Sequence, residues 1–309
     1  MKKLTPVEQI KISENMTISE LMEAMKKSGV LGAGRLARAS EIYRNMLSDK
    51  ECRIFLGVAG AMVSGGMKLI IQDILENNQT DVFVTTGANL THDLIESLGY
   101  RHYKGTPNAD DKKLHDENID RIYDVFMPND VYQGLENFFT KILPKLPKKE
   151  FTVREFLFEL GKLSPKNSIL NICYRNNIPI FCPALADSGI GLQLWNYIQK
   201  NKLNISAIND LNEIIDLAWT AKKSGIIYIG GGVPKNYIQQ ALQISKGASY
   251  GIQITSDVPE FGGSSGAELR EGISWGKMQP EGKFVNLICD ATIALPIIYA
   301  AVKGMKRGK

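Results

Sequence analysis

The chain has 309 residues, 44% of them apolar and 23% charged, with a formal net charge of +4. That balance excludes disordered and fibrous classes, and a charge this small and dispersed gives no reason to expect nucleic acid as a partner. Four scattered cysteines without a C-x-x-C pair, and His92, His102 and His115 without helical ligand spacing, predict neither disulfides nor a metal site.

No run approaches the roughly 18 apolar residues of a membrane span. The start, with Lys2 and Lys3, has no apolar signal region, so a soluble, cytoplasmic protein is expected. The basic tail Lys303-Gly-Met-Lys-Arg-Gly-Lys309 reads as a solvated end.

Residues 1–50 read as helical. Thr17 with Glu20 forms a capping box ahead of Ile18, Leu21, Met22 and Met25, Gly29 follows as a stop, and a second helix is expected over 34–47. With no strand between them, these helices predict an N-terminal extension before a main domain at 51–309. From Arg53 the pattern changes to short apolar runs ending in glycine or small polar residues, as buried strands do. Strands are expected at 53–59, 81–86, 178–183, 226–229, 250–254 and 284–289. Helices are expected between them at 64–75, 153–163, 168–175, 192–199 and 210–224. A turn at 87–93 leads into a helix that ends near 99, a turn at 230–234 leads into a helix through 242, and a closing helix is expected after 291. Residues 100–150 break the rhythm and predict an insertion with a helix over 132–142. Strands alternating with helices imply right-handed βαβ units. The fold class is therefore α/β, a doubly wound, mostly parallel Rossmann-like sheet.

In such a sheet, ligands bind beyond the carboxyl ends of the strands. Those ends are rich in Gly, Ser, Thr and Asp. Gly230-Gly-Gly232, between a strand and a helix, would let a pyrophosphate approach the helix N-terminus. Thr85-Thr-Gly87 offers hydroxyl and amide hydrogens, or is a plain turn. Asp187 fits an amine or ribose contact, or an Asx-turn or cap before Ser188; Asp290 can likewise cap a helix. His92, placed in the first turn of a helix where the dipole lowers its pKa, fits a neutral base or a surface histidine. The segment from Gly262 to Met278 gathers Glu271, Trp275 and Lys277 within seven residues. A desolvated lysine can form Schiff bases, and a tryptophan face with a carboxylate can hold a cation; a solvated lysine beside a packed tryptophan is the plainer alternative.

Four stretches, Phe181-Cys-Pro-Ala-Leu-Ala-Asp187, Gly230-Gly-Gly-Val233, the run from Ser265 through Glu271 to Ser274-Trp-Gly-Lys277, and Asp290-Ala291, resemble the deoxyhypusine synthase family, over about residues 53–300. The resemblance implies a Rossmann-like homotetramer with active sites at dimer interfaces and an N-terminal helical segment able to cover the entrance. It implies NAD over Ser64, Thr86, Gly87, Gly230, Gly231, Gly232, Ser265, Asp290 and Ala291, with Asp187, Glu271 and Trp275 holding a polyamine. Lys277 would carry the aminobutyl group of spermidine as an imine. The acceptor would be a protein lysine of the hypusine-carrying translation factor or, in homospermidine synthases on this scaffold, putrescine. The family pattern has aspartates where this chain has Leu192 and Ser264, a histidine at Asn236, and paired glutamates at Thr91-His92. The amine side is thus where specificity is expected to have shifted.

Overall fold

The computed structural model describes residues 4–305 and 307. Lys2, Lys3 and, in the basic tail, Lys306, Gly308 and Lys309 lie outside them. In chain order, α1 (Ile18–Ser28) and α2 (Leu31–Ser48) lead into β1 (Cys52–Val58), α3 (Lys68–Glu76), β2 (Val82–Thr85) and α4 (Gly87–Ser97). The inserted region holds β3 (Tyr103–Lys104), α5 (Asp111–Asp116), β4 (Ile119–Ile122), β5 (Val125–Pro128) and α6 (Asp130–Ile142). After it come β6 (Phe151–Thr152), α7 (Val153–Leu163), α8 (Ile169–Arg175), β7 (Ile180–Phe181), α9 (Gly189–Ile198) and β8 (Ile205–Ser206). The chain closes with α10 (Asp210–Thr220), β9 (Lys223–Ile229), α11 (Gly232–Gln243), β10 (Ala248–Thr255), β11 (Met278–Ile288) and α12 (Ala291–Val302).

Six strands form one parallel sheet in the order β11-β10-β9-β1-β2-β7. They are the six that the apolar runs predict, wound outward from β1 in both directions. By contacts the chain divides into two compact units, Met1–Gly57 with Ile214–Lys309, and Val58–Glu213. Among the described residues, no helix is long and apolar enough to cross a membrane.

In the first unit, the Thr17–Glu20 capping box starts α1 and Gly29, at φ 72°, ends it. A Cβ on Gly34 would strike the Gly29 main chain, so small residues let the two helices approach closely. Met22, Ala37 and Ala301 make a shared core with Met25, Leu36 and Ile297. The extension thus packs on α12 as part of this unit's interior. The helix expected over 210–224 ends early, at Thr220. Arg53 donates to Leu217 O at 2.6 Å and to Thr220 Oγ1 at 2.9 Å, closing the helix, and Ser224 is buried in β9.

In the second unit, the helix expected from Ser64 begins as a widened turn, Val63–Met67, with Gly66 at φ 86°; α3 proper starts at Lys68. Lys68 Nζ lies 3.0 Å from Asp93 Oδ1 and donates to Ser97 Oγ at 2.8 Å. Asp93 Oδ2 accepts from Ile169 N–H at 2.7 Å, which ties α3, α4 and α8 together. The 100–150 insertion contains the expected helix, α6, and also an antiparallel sheet in the order β3-β5-β4. Ser188 caps α9 by accepting from Gly191 N–H at 3.1 Å. That starts the helix three residues before its expected position and leaves Leu192 61% exposed.

Candidate active site

Unit one contains the loop from Gly262 to Met278 that the sequence singles out. Between β10 and β11 the chain makes two short turns, Pro259–Phe261 and Leu269–Ile273, and reaches Lys277 just before β11. The Lys277 N–H donates to Gly272 O at 2.8 Å, and its Nζ lies 4.8 Å from the Trp275 ring centroid. Trp275 is 55% exposed, so its face remains available to a second cation. A cavity of about 330 Å³ is lined by Lys277, Trp275, Glu271, Asn236, Ser264 and Glu268. The first five are residues that the sequence singles out for amine chemistry, and the fold brings them together. Glu268 was missed: it stands three residues before Glu271, the spacing of one helical turn, and adds a second carboxylate. Lys235 was also missed. It lines the same cavity yet is only 1% exposed.

The glycine turn lies in the same unit. Gly230 and Gly232 adopt φ 74° and 55°, a region that side chains disfavour. A Cβ on Gly231 would collide with the main chain of Ser265, and Gly232 N–H donates to Ser265 Oγ at 2.9 Å. The N-cap Gly231 has no side chain with which to cap α11. With Gly232 N–H taken by Ser265 and Pro234 lacking an N–H, Val233 is the first-turn position left to donate to an anion. The strand ends are level: Gly230 N–H donates to Ile254 O at 2.8 Å and Cys289 N–H to Thr255 O at 3.1 Å. Asp290 is the N-cap of α12, its Oδ1 accepting from Thr292 Oγ1 at 2.6 Å and Thr292 N–H at 2.7 Å. The Thr292 hydroxyl, chiefly, holds its pKa below the usual carboxylate value. Ala291 is the first residue of α12.

The remaining candidates lie in unit two. Thr86 caps α4, accepting from Asn89 N–H at 3.3 Å, and Gly87 opens that helix where a Cβ would clash with the Ser188 side chain. Ser64 is buried, its hydroxyl donating to Ala61 O at 3.2 Å. Asp187 is exposed; its neighbour Ser188, not Asp187, makes the α9 cap.

His92 requires a correction: it lies in the second turn of α4, beyond the reach of the helix dipole. Burial, reinforced by the nearby His102, pushes its pKa down to about 4 against the pull of Glu96. His92 Nδ1 is 2.9 Å from His102 Nε2, and His102 Nδ1 is 2.9 Å from Glu96 Oε1. In one tautomer of this chain of contacts, His102 Nδ1 donates to Glu96 and His102 Nε2 accepts from His92 Nδ1. That leaves His92 Nε2 as the proton acceptor of a neutral ring.

The family model described as deoxyhypusine synthase matches residues 20–302. A "probable deoxyhypusine synthase 1" from Methanosarcina acetivorans is 44% identical over 97% of this chain and 95% of its own length. A "probable deoxyhypusine synthase 2" from Archaeoglobus fulgidus is 41% identical over 92% of this chain and 98% of its own. A crystal structure assigned to deoxyhypusine synthase from Entamoeba histolytica shares the fold at a TM-score of 0.64 and 20% identity, covering 96% of both chains. With so long a match at such identity, this chain belongs to the deoxyhypusine synthase family, a family of transferases.

Proposed function

We propose that this protein is an NAD-dependent aminobutyltransferase. It would move the four-carbon amine of spermidine through an imine on Lys277 to an acceptor amine, a lysine of the hypusine-carrying translation factor. The observation that carries the reading is the grouping of Lys277, Trp275 and Glu271 on one cavity. An aromatic face and two carboxylates attract a cationic amine, and the lysine supplies the nucleophile.

The Gly230–Gly232 turn fits a dinucleotide pyrophosphate. Its missing side chains admit the Ser265 main chain, and the start of α11, whose N-cap Gly231 has no side chain, presents the Val233 N–H. Ser265, Asp290, Ala291, Ser64, Thr86 and Gly87 are the further contacts we assign to NAD. When bound, NAD supplies reversible hydride acceptance at the carbon beside the secondary amine of spermidine. The Lys277 amine attacks the resulting imine carbon, forming its own C–N bond as diaminopropane leaves with the proton. Glu271 and Trp275 hold the ammonium groups, Asp187 contributes a further carboxylate, and His92 takes up a proton at Nε2. The acceptor amine then displaces Lys277, which returns to a free amine. The new imine on the acceptor would take back the stored hydride to become a secondary amine, so the transfer leaves no net change in NAD. The same reading includes a homotetramer with active sites at dimer interfaces and a cytoplasmic location.

A second reading, a homospermidine-type synthase with putrescine as acceptor, is favoured by one observation. Ser264 and Asn236 line the cavity as neutral groups, where the resemblance has an aspartate and a histidine. Mass spectrometry separates the two. With NAD and spermidine, modification of the factor's lysine supports the first reading, and homospermidine formed only with putrescine supports the second. A Lys277→Ala variant that forms aminobutylated product at the wild-type rate ends the covalent mechanism.

A further inference from the structure

Lys235 occupies the buried face of α11 together with Ile238, Gln239 and Leu242. Its Nζ donates to Ser264 O at 2.7 Å, Ala267 O at 2.5 Å and Gln253 Oε1 at 3.0 Å. Three acceptors use all three N–H bonds of an ammonium, and none of the three is a carboxylate. Gln253, on β10, extends the grip by donating its Nε2 to Ser265 O at 2.7 Å. The carbonyls of residues 264, 265 and 267 are therefore held by two buried side chains from α11 and β10. This turn carries Ser264 into the amine cavity and Ser265 against the glycine turn.

We propose that Lys235 is a positioning residue whose ammonium clamps the 264–267 turn, holding the amine cavity in shape while protonated and loosening it when deprotonated. A neutral amine has two N–H bonds for three acceptors, so one acceptor must be released. The groups facing Lys235 fix the direction of the effect. Burial pushes its pKa down to about 8, Glu271 opposes that shift and Lys277 adds to it. Glu268 lines the same cavity, while Asn236 and Gln239 on its own helix and Gln253 on β10 are neutral. Lys235 is therefore protonated below about pH 8 and the turn is held; above that value the clamp weakens. Its effect on turnover rests on the proposed reaction, but the clamp itself does not.

Hydrogen–deuterium exchange of a peptide covering the turn tests this, read as protection factors from about pH 6.5 to about 9.5. Wild-type protection should fall several-fold around pH 8. Lys235→Met should show the low value throughout, without a step. Glu271→Gln, on an exposed residue, removes a charge that favours the ammonium and should move the step to lower pH. A flat wild-type profile, wild-type protection in Lys235→Met, or an unmoved step in Glu271→Gln would overturn the proposal. If Lys235→Met fails to fold by circular dichroism, the wild-type and Glu271→Gln profiles still decide. A parallel assay of diaminopropane release from spermidine should show KM for the amine rising across the same interval. An exchange step without any turnover sinks the proposed reaction and leaves the clamp; turnover without a step does the reverse.

Discussion

Among the described residues each unit buries one lysine, and the two are held in opposite ways. Lys68, 7% exposed, meets a carboxylate, Asp93, which is itself fully buried. Lys235, 1% exposed, meets only neutral oxygens. Burial pushes the Asp93 carboxyl up to about 6 against the pull of Lys68, but at neutral pH the pair remains a charged rivet joining three helices. Lys235 has three hydrogen bonds and no counter-ion among its acceptors, so its proton stays within reach of a moderate rise in pH. A buried cation with a carboxylate builds the fold; one with neutral acceptors can respond to the solution.

The largest effect that sharpens this contrast is on stability. Lys68→Met strands a buried carboxylate and should cost about 3–5 kcal/mol in urea unfolding, while adding Asp93→Asn, which removes the charge and keeps an oxygen for Ile169 N–H, should recover part of it. Lys235→Met orphans three acceptors but removes a poorly solvated charge, so its cost should be only about 1–2 kcal/mol. Equal losses for the two single variants would break the comparison. A smaller effect concerns His92. Its folded pKa is about 4, against an ordinary 6.5, so between these values the unfolded chain binds more protons. Stability should therefore fall as pH drops from 6.5 to 4, by about 1–2 kcal/mol after discounting partial exposure. His92→Asn should flatten that stretch of the pH profile in thermal unfolding.

The six-stranded sheet was legible because its strands are apolar runs bounded by glycine and small polar residues, a pattern that burial on both faces enforces. The cavity at Lys277 was legible because five of its residues lie in or beside motifs. The inserted sheet was not. β4 and β5 are half-buried and joined at Tyr123, which adopts φ 54° without the Asn-Gly wording that marks such hairpins. His102 was hidden with it, since its pairing with His92 depends on the path of that insertion. Lys235 was missed because a lone lysine in an amphipathic helix usually points outward. Yet its spacing from Ile238, Gln239 and Leu242 placed it on the inward stripe, and that signal was available.

The first unit is built from the two ends of the sequence, and this matters during synthesis. Arg44, on α2, donates to Ala301 O at 2.8 Å, and Met22 and Ala37 share their core with Ala301. At roughly 5–20 residues per second, α2 leaves the ribosome roughly 10–50 s before the helix it packs against. Residues 58–213 are complete well before then. For that interval α1 and α2 hold an apolar face without its partner. A ribosome stalled late in the message would therefore display a finished middle unit beside an adhesive, half-built one, a natural client for chaperones.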